Sequence, residues 1–284
     1  MSVILTGLLG SGIQKSGSPA IHMKEAAALG LELTYRLFDT ETGDFDAPEL
    51  GEVLRRLAEE GYSGVNVTHP FKLEVLRHLD LLSEDVEAIG ACNTVIFSKD
   101  GLVGHNTDWR GWRDGFLRSL PRAKLDRAIL LGAGGAGAAV SYAALSIGLK
   151  QLHLFDVDAA KSRALAERLI PHFGADRVRV SDDVAGMLAG CDGLINTTPI
   201  GMDLYPGSPV KADWLRPELW VADAIYFPPE TQLLADARRI GCATMNGVPM
   251  VVYQAVEAFE LFTGVIPDVE RMFQRLSYNV VAEV

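Results

Sequence analysis

Three groups of residues have types and spacing that could do chemistry. The first is the run Gly64-Val65-Asn66-Val67-Thr68-His69-Pro70-Phe71-Lys72, a short β-branched segment that stops at a proline and delivers a lysine just beyond it. Pro70 has no N–H to give a sheet ladder, so the strand ends at or before it. Side chains alternate along a strand, which puts Asn66 and Thr68 on one face. Taken alone, Lys72 reads equally as a solvated cation at a strand end or as a proton carrier. The second group is Gly104-His105-Asn106-Thr107-Asp108, a polar cluster expected at a strand exit and ending in a carboxylate.

The third group is Gly132-Ala133-Gly134-Gly135-Ala136-Gly137, a G-x-G-x-x-G directly after the apolar run Ala128-Ile129-Leu130-Leu131 and before an alanine-rich helix. In that context the first glycine permits a tight turn, the second lets backbone approach a pyrophosphate, and the third packs helix on strand. The helix amino terminus adds free N–H groups and partial positive charge for the phosphates. A purely structural turn is the weaker alternative. The next strand, Gln151 to Asp156, ends in an acid nineteen residues after Gly137. A carboxylate there accepts hydrogen bonds from an adenosine ribose and repels a 2′-phosphate, so Asp156 favours NAD. Lys161 and Arg163 on the following helix keep NADP admissible.

These groups need elements to hold them. Val3 to Gly10 reads as a buried strand leading into a glycine-punctuated loop, Ser11 to Gly17. Ser18-Pro19 predicts a helix start, with the serine as N-cap, and Gly30 its end. Leu31–Phe38 predicts a strand, Glu49–Glu60 an amphipathic helix and Gly64–Thr68 a third strand, hence a largely parallel sheet. Helical stretches are expected at Leu73–Leu79 and Glu84–Ile89, then a hairpin turning at Lys99-Asp100-Gly101, and a helix over Arg110–Leu120. Beyond the glycine loop, Val178–Val180, Gly193–Asn196 and Trp220–Ile225 continue the α/β alternation. Leu204–Arg216 reads as a surface loop, and helices are expected at Thr231–Ile240, Met250–Phe262 and Asp268–Leu276. Gln254 falls in the first turns of the second of these, where an exposed glutamine is the commonplace reading.

The 284-residue chain suits two domains, and its 48% hydrophobic and 22% charged residues describe an ordinary globular protein. A formal net charge of -11 argues against non-specific binding to nucleic acid or anionic membrane. No apolar run is long enough for a transmembrane helix, and the amino terminus reads as a strand rather than a signal peptide. Three cysteines, Cys92, Cys191 and Cys242, make a disulfide framework improbable and a reducing cytoplasm the natural home. The histidines lack metal-ligand spacing, and no metal site is expected.

Together these motifs resemble the shikimate dehydrogenase family over nearly the whole chain. The resemblance is carried by Ser16-Gly17-Ser18-Pro19, Asn66 to Lys72, Gly90-Ala91-Cys92-Asn93-Thr94, Asn106-Thr107-Asp108, Gly132–Gly137, Asn196–Met202, Tyr226 with Thr231, and Gly247 to Gln254. Gly7 to Ile13 and Asp156 look most like the NAD-using quinate/shikimate branch. The resemblance implies an α/β fold of two domains. An N-terminal substrate domain with a mostly parallel sheet would take residues 1–109, completed by helices within 248–284. A Rossmann-fold dinucleotide domain would take 110–247.

It implies a catalytic pair of Lys72 and Asp108, with Ser16 and Ser18 on the substrate carboxylate and Asn66, Thr68, Asn93 and Gln254 on ring hydroxyls. Tyr226 would border the substrate cleft. The cofactor would meet Gly132, Ala133, Gly134, Gly135, Ala136, Gly137, Asp156, Thr197, Met202 and Gly247. The expected activity is reversible hydride transfer between shikimate and NAD(P), with quinate, or an aminoshikimate, as the alternative small polyol acid. The resemblance is compatible with a homodimer. A non-catalytic ligand sensor on the same fold is the alternative from another class; intact Lys72, Asp108 and glycine loop weigh against it. Two departures stand out: Lys15 where the family commonly has His, and Trp109 where it commonly has Gly.

Overall fold

The computed structural model describes residues 3–274, and the chain forms two compact units, Met1–Thr107 with Val252–Val284, and Asp108–Val251. The first unit carries β1 (Ile4–Gly10), β2 (Leu33–Asp39), β3 (Gly64–Val67), β4 (Leu81–Leu82), β5 (Thr94–Ser98) and β6 (Gly101–His105), in the order β2-β1-β3-β5-β6-β4. Strand β1 pairs in parallel with both β2 and β3, and β4 with β6, whereas β5 runs antiparallel to β3 and β6. The hairpin turning at Lys99-Asp100-Gly101 is thus present, and it enters the sheet as its antiparallel part.

Each face of this sheet is covered for a legible reason. Helix α2 (Leu50–Glu59) buries Leu50, Val53, Leu54 and Leu57, spaced at i, i+3, i+4 and i+7, against Leu9, Val65, Val67 and Val95. Each such leucine contributes about 1.5–3 kcal/mol by leaving water, and truncating any one of them to Ala would open this face. The other face sets Leu8 and Tyr35 against Ala258 and Phe262 of the C-terminal helix.

Helix α1 (Ser18–Ala28) corrects one expectation. Gly17, not Ser18, holds the N-cap position, in a right-handed conformation and with no side-chain cap; Ser18 is the first helical residue. Its hydroxyl is engaged elsewhere, as described below. Leu73–Leu79 is a 3-10 turn, Glu74–His78, and α3 (Glu84–Ile89) follows the two-residue β4 that periodicity did not reveal. Helix α4 (Thr107–Ser119) starts three residues earlier than expected, so Asp108 lies in a first helical turn rather than on a strand-exit loop. The division between the units falls inside α4 and inside the last long helix.

The second unit is a wholly parallel sheet of β7 (Arg127–Leu131), β8 (Gln151–Phe155), β9 (Val178–Val180), β10 (Gly193–Asn196), β11 (Trp220–Asp223) and β12 (Ala243–Met245). The order β12-β11-β10-β7-β8-β9 reverses direction between β7 and β10, the topological switch point at which doubly wound sheets bind ligands. Crossovers are made by α5 (Gly135–Ser146), α6 (Ala159–Phe173), α7 (Val184–Leu188) and α8 (Gln232–Ile240). Strand β12 was not expected. The loop over 204–216 is only partly surface: Val210 and Leu215 are buried in the core beside Leu194 and Val221.

Helix α9 (Val248–Thr263) begins earlier than its apolar pattern suggested, because Asn246 Oδ1 accepts from the Val248 N–H at 3.2 Å and starts the turn there. Residues 269–274 are helical; the rest of the expected final helix lies outside the described residues. Cys92, Cys191 and Cys242 are free and buried, and burial pushes the Cys92 thiol up to about 12. Among the described residues no helix is long and apolar enough to cross a membrane.

Candidate functional site

In the first unit, five of the seven residues expected to read the substrate lie along one row of polar side chains, most of them joined by hydrogen bonds. Ser16 Oγ donates to Ser18 Oγ at 3.2 Å, and the Ser18 hydroxyl lies beside the Tyr35 hydroxyl. Tyr35 Oη donates to Asn66 Oδ1 at 2.7 Å, and Asn66 Nδ2 donates to Thr94 Oγ1 at 2.9 Å. Thr94 Oγ1 donates to Asn93 Oδ1 at 3.1 Å, and Asn93 Nδ2 to Thr107 Oγ1 at 2.9 Å. Thr107 Oγ1 donates to Gln254 Oε1 at 3.4 Å. Sheet register produces the central links: Asn66 lies directly opposite Thr94, and Thr94 opposite His105. Asn66, Asn93, Thr94 and Thr107 are buried, where unpaired polar groups would be costly, so the chain fixes their geometry. Gln254 is half-buried and bonded, not the exposed residue its helix position alone suggested.

The loop that carries Ser16 is held by a residue sequence reasoning did not single out. Asp39, fully buried at the end of β2, accepts from the Gly12 N–H at 2.8 Å, the Ile13 N–H at 2.9 Å, the Glu41 N–H at 3.0 Å and Gln14 Nε2 at 3.1 Å. Burial alone would raise its pKa, but these donors outweigh it and hold the carboxyl below its usual value. An acid at the tip of a strand, facing a glycine-bearing loop, was the available signal.

Thr68 and Lys72 follow β3 around the cis His69–Pro70 peptide. Thr68 is half-buried, and its methyl meets Gly10 so closely that any side chain there would displace it. Half-buried Lys72 is anchored through its carbonyl, which accepts from the Cys92 N–H at 2.8 Å. Asp108 belongs to the second unit, is buried, and sits where the helix dipole favours a negative charge. The residue before it is clamped: Asn93 Oδ1 accepts from the Thr107 N–H at 2.7 Å. Tyr226 is half-buried in the second unit, and burial raises its pKa.

The glycine loop gives each glycine a separate cause. Gly132 has φ of 97°, a left-handed conformation that side chains resist. A Cβ on Gly137 would collide with the Gly132 carbonyl, whereas one on Gly134 would meet nothing within 4 Å. Gly134 is the N-cap of α5 and brings no side chain to the first-turn amides. The open face at Gly134 and the first-turn amides of α5, which no side chain caps, suit an anion at this helix terminus. Asp156 Oδ2 accepts from the Ala133 N–H at 2.7 Å and its Oδ1 from the Asp158 N–H at 2.9 Å, which sets the carboxylate beside the loop.

Thr197 acts from beneath: its hydroxyl reaches the carbonyls of Gly132 at 2.7 Å and Leu131 at 2.8 Å. Met202 is exposed on the loop after β10. That loop is tied down by Asn196, which donates to Asp223 Oδ1 at 3.0 Å, while Asp223 Oδ2 accepts from Thr231 at 2.7 Å. Burial raises the Asp223 pKa. Gly247 packs so tightly on the Ala224 carbonyl that no side chain fits. Of the two departures, Lys15 is exposed. Trp109 is packed edge-on to Tyr142 of α5 at 5.2 Å, with the Arg110 and Arg113 guanidiniums 5.1 and 5.2 Å from its ring centre.

Comparison with known proteins agrees with this geometry. Residues 8–95 match the family model for the shikimate dehydrogenase substrate binding domain, and residues 247–276 that for the shikimate 5′-dehydrogenase C-terminal domain. A shikimate dehydrogenase (NADP(+)) of Streptomyces avermitilis is 46% identical over 270 residues, covering 94% of this chain and 93% of the relative. A quinate/shikimate dehydrogenase (NAD(+)) of Corynebacterium efficiens is 43% identical over 272 residues, covering 95% and 96%. Among solved structures, quinate dehydrogenase from Corynebacterium glutamicum in complex with NAD superposes with a TM-score of 0.92 at 39% identity, over 98% of this chain and 100% of that one. The chain belongs to the shikimate dehydrogenase family.

Proposed function

We propose that this NAD(P)-dependent oxidoreductase interconverts shikimate and 3-dehydroshikimate, with 1–107 and 252–284 binding the polyol acid and 108–251 the dinucleotide. The observation that carries the reading is the row of polar side chains from Ser16 to Gln254, hydrogen-bonded from Tyr35 onward. A row of hydroxyls and amides on one unit suits a carboxylate flanked by ring hydroxyls, and such sites discriminate strongly against analogues lacking an OH. Ser16 and Ser18 take the carboxylate; Asn66, Thr68, Asn93 and Gln254 take hydroxyls. Thr107 sits between Asn93 and Asp108, so the substrate-reading chain also sets where the helix carrying Asp108 begins.

A bound dinucleotide supplies a nicotinamide that takes the hydride, and with it two electrons, from the carbinol carbon. The Lys72 amine accepts the hydroxyl proton as the O–H bond breaks and the C=O bond forms. Asp108 orients that hydroxyl. In the reverse direction Lys72 returns the proton to the developing alkoxide. The glycine loop and the α5 amino terminus hold the pyrophosphate, with Met202 and Gly247 beside the nicotinamide and Tyr226 beside the substrate.

NAD is the preferred dinucleotide on this reading, because Asp156 and Asp158 flank the ribose position and Val157 between them brings no cation. Quinate is the second reading, favoured by the likeness to a quinate dehydrogenase structure. Initial rates with shikimate and quinate, each against NAD and NADP, test both. Turnover of shikimate with NAD is expected. Turnover of neither acid overturns the assignment, and a strong preference for NADP overturns the role given to Asp156.

A further inference from the structure

The donor and acceptor sense of the substrate-reading chain is set by two backbone groups. The Thr107 N–H can only donate, and it meets Asn93 Oδ1 at 2.7 Å, so the oxygen of that amide is fixed. The Asn93 carbonyl can only accept, and it meets Asn66 Nδ2 at 3.4 Å, which fixes the second amide. Thr94 therefore accepts from Asn66 and gives its proton to Asn93 Oδ1 at 3.1 Å or to Thr107 Oγ1 at 3.4 Å. At the other end of the Asn66 amide, the oxygen is left to accept, and the group that fills one of its lone pairs is the Tyr35 hydroxyl at 2.7 Å. With its proton committed there, the Tyr35 oxygen is left as an acceptor for the Ser18 hydroxyl beside it.

Tyr35 is buried, and its ring is held by stacking on His22 with centroids 4.7 Å apart. It reaches Asn66 across β1: Tyr35 pairs with Thr6, Thr6 with Gly64, and Asn66 lies two residues on along the same face. From these observations we infer that Tyr35 is a positioning residue for substrate discrimination. Its hydroxyl pins Asn66 so that one carbonyl lone pair faces a ring hydroxyl, and it draws on the Ser18 proton until a carboxylate arrives. The inference rests on the polyol-acid reading above and adds a residue to it. The two jobs have opposite consequences on removal. Losing the Tyr35 hydroxyl loosens the group that reads a ring hydroxyl, yet releases a serine for the carboxylate.

Tyr35→Phe tests this, since the phenyl ring keeps the stack on His22 and loses only the hydroxyl. The KM for shikimate is expected to rise about fivefold, the value of one hydrogen bond, with kcat and the dinucleotide KM changed less than twofold. The inhibition constant of cyclohex-1-ene-1-carboxylate, which has the carboxylate but no ring hydroxyls, should stay level or fall. A general structural defect would weaken both ligands together, and that result, or an unchanged shikimate KM, overturns the inference. Thr94→Val breaks the chain on the other side of Asn66 and should give the same split if the tyrosine variant does not fold. Should the wild-type chain turn over no polyol acid, the Asn66 side-chain amide resonances still decide: they shift in Tyr35→Phe if the tyrosine pins the amide, and identical resonances overturn the inference.

Discussion

At the scale of single residues, Lys72 shows how a side chain changes meaning with its surroundings. As a lysine after a strand-ending proline it could be any solvated cation. In the structure it is half-buried, follows Thr68 within a tight turn closed by the Phe71 N–H to the Thr68 carbonyl at 2.9 Å, and is pinned to Cys92 through its backbone. In the role proposed for it, a proton carrier contributes about 10²–10⁴-fold in rate. Lys72→Ala is therefore expected to lower kcat by about that factor while leaving the melting temperature and dinucleotide binding unchanged, read by steady-state kinetics and calorimetry. Undiminished turnover would remove Lys72 from the chemistry. The strand carrying Asn66, the break before Lys72 and the glycine loop were legible because strand alternation, a proline and a G-x-G-x-x-G are local patterns, while the roles given to Lys72 and Asn93 rest on the family resemblance. Tyr35, Thr94 and Asp39 were not, because each acts on residues 26 to 31 positions away or across a strand pairing that no local pattern specifies.

At the scale of elements, the sheet of the first unit is where sequence reading and structure part company most. Helices α1, α2 and α9 and strands β1 to β3 follow from period and punctuation, but β4 is two residues long and shows no period of its own. The antiparallel placement of β5 between β3 and β6 is a matter of pairing, not of local preference. A second long-range device at this scale is the clasp on α1, the helix that presents Ser18. Glu25, fully buried on α1, accepts from Arg271 Nε at 2.7 Å and Arg271 NH2 at 2.5 Å, and from the Asp268 N–H at 2.9 Å. The carboxylate leaves water entirely and is held by this far end of the chain. Breaking such a pair by removing one partner typically costs about 3–5 kcal/mol. Arg271 is itself 32% exposed, so water can reach the vacated place and the lower end applies. Arg271→Ala should thus lose about 3 kcal/mol in urea unfolding. Arg271→Ala combined with Glu25→Gln should lose less than the single change, because the uncompensated charge is gone. A double variant as unstable as the sum of both would show that packing, not charge, holds the clasp.

For the whole molecule, the response to acid depends on which buried groups take up protons, and the signs differ among them. His22 is fully buried against Tyr35, Phe259 and Phe262, and burial lowers its pKa from 6.5 to about 3. Among the described residues neither ring nitrogen has a hydrogen-bond partner, so no hydrogen bond stabilises the cation. Because the folded pKa lies below the unfolded one, the unfolded chain binds the proton first. The stability contributed by neutral His22 is complete above pH 6.5 and is lost progressively as pH falls towards 3. Asp39 acts in the same sense at lower pH, since its depressed pKa contributes stability that disappears as its carboxylate is protonated. Asp223 acts in the opposite sense: its raised pKa means that acid relieves a buried charge, which offsets part of the loss. Between pH 6 and pH 5 the unfolded histidine is already titrating, while an unfolded aspartate has barely begun. One proton is worth at most about 1.4 kcal/mol per pH unit. His22→Phe, which preserves a flat aromatic ring for the stack on Tyr35, should flatten the dependence of unfolding free energy on pH by about that slope over this window. The measurement is urea unfolding at half-unit steps from pH 7 to pH 4, with wild type and variant in the same buffers. Parallel curves would mean that the histidine gains solvent or a partner on acidification, and that the acid limb belongs to the carboxylates.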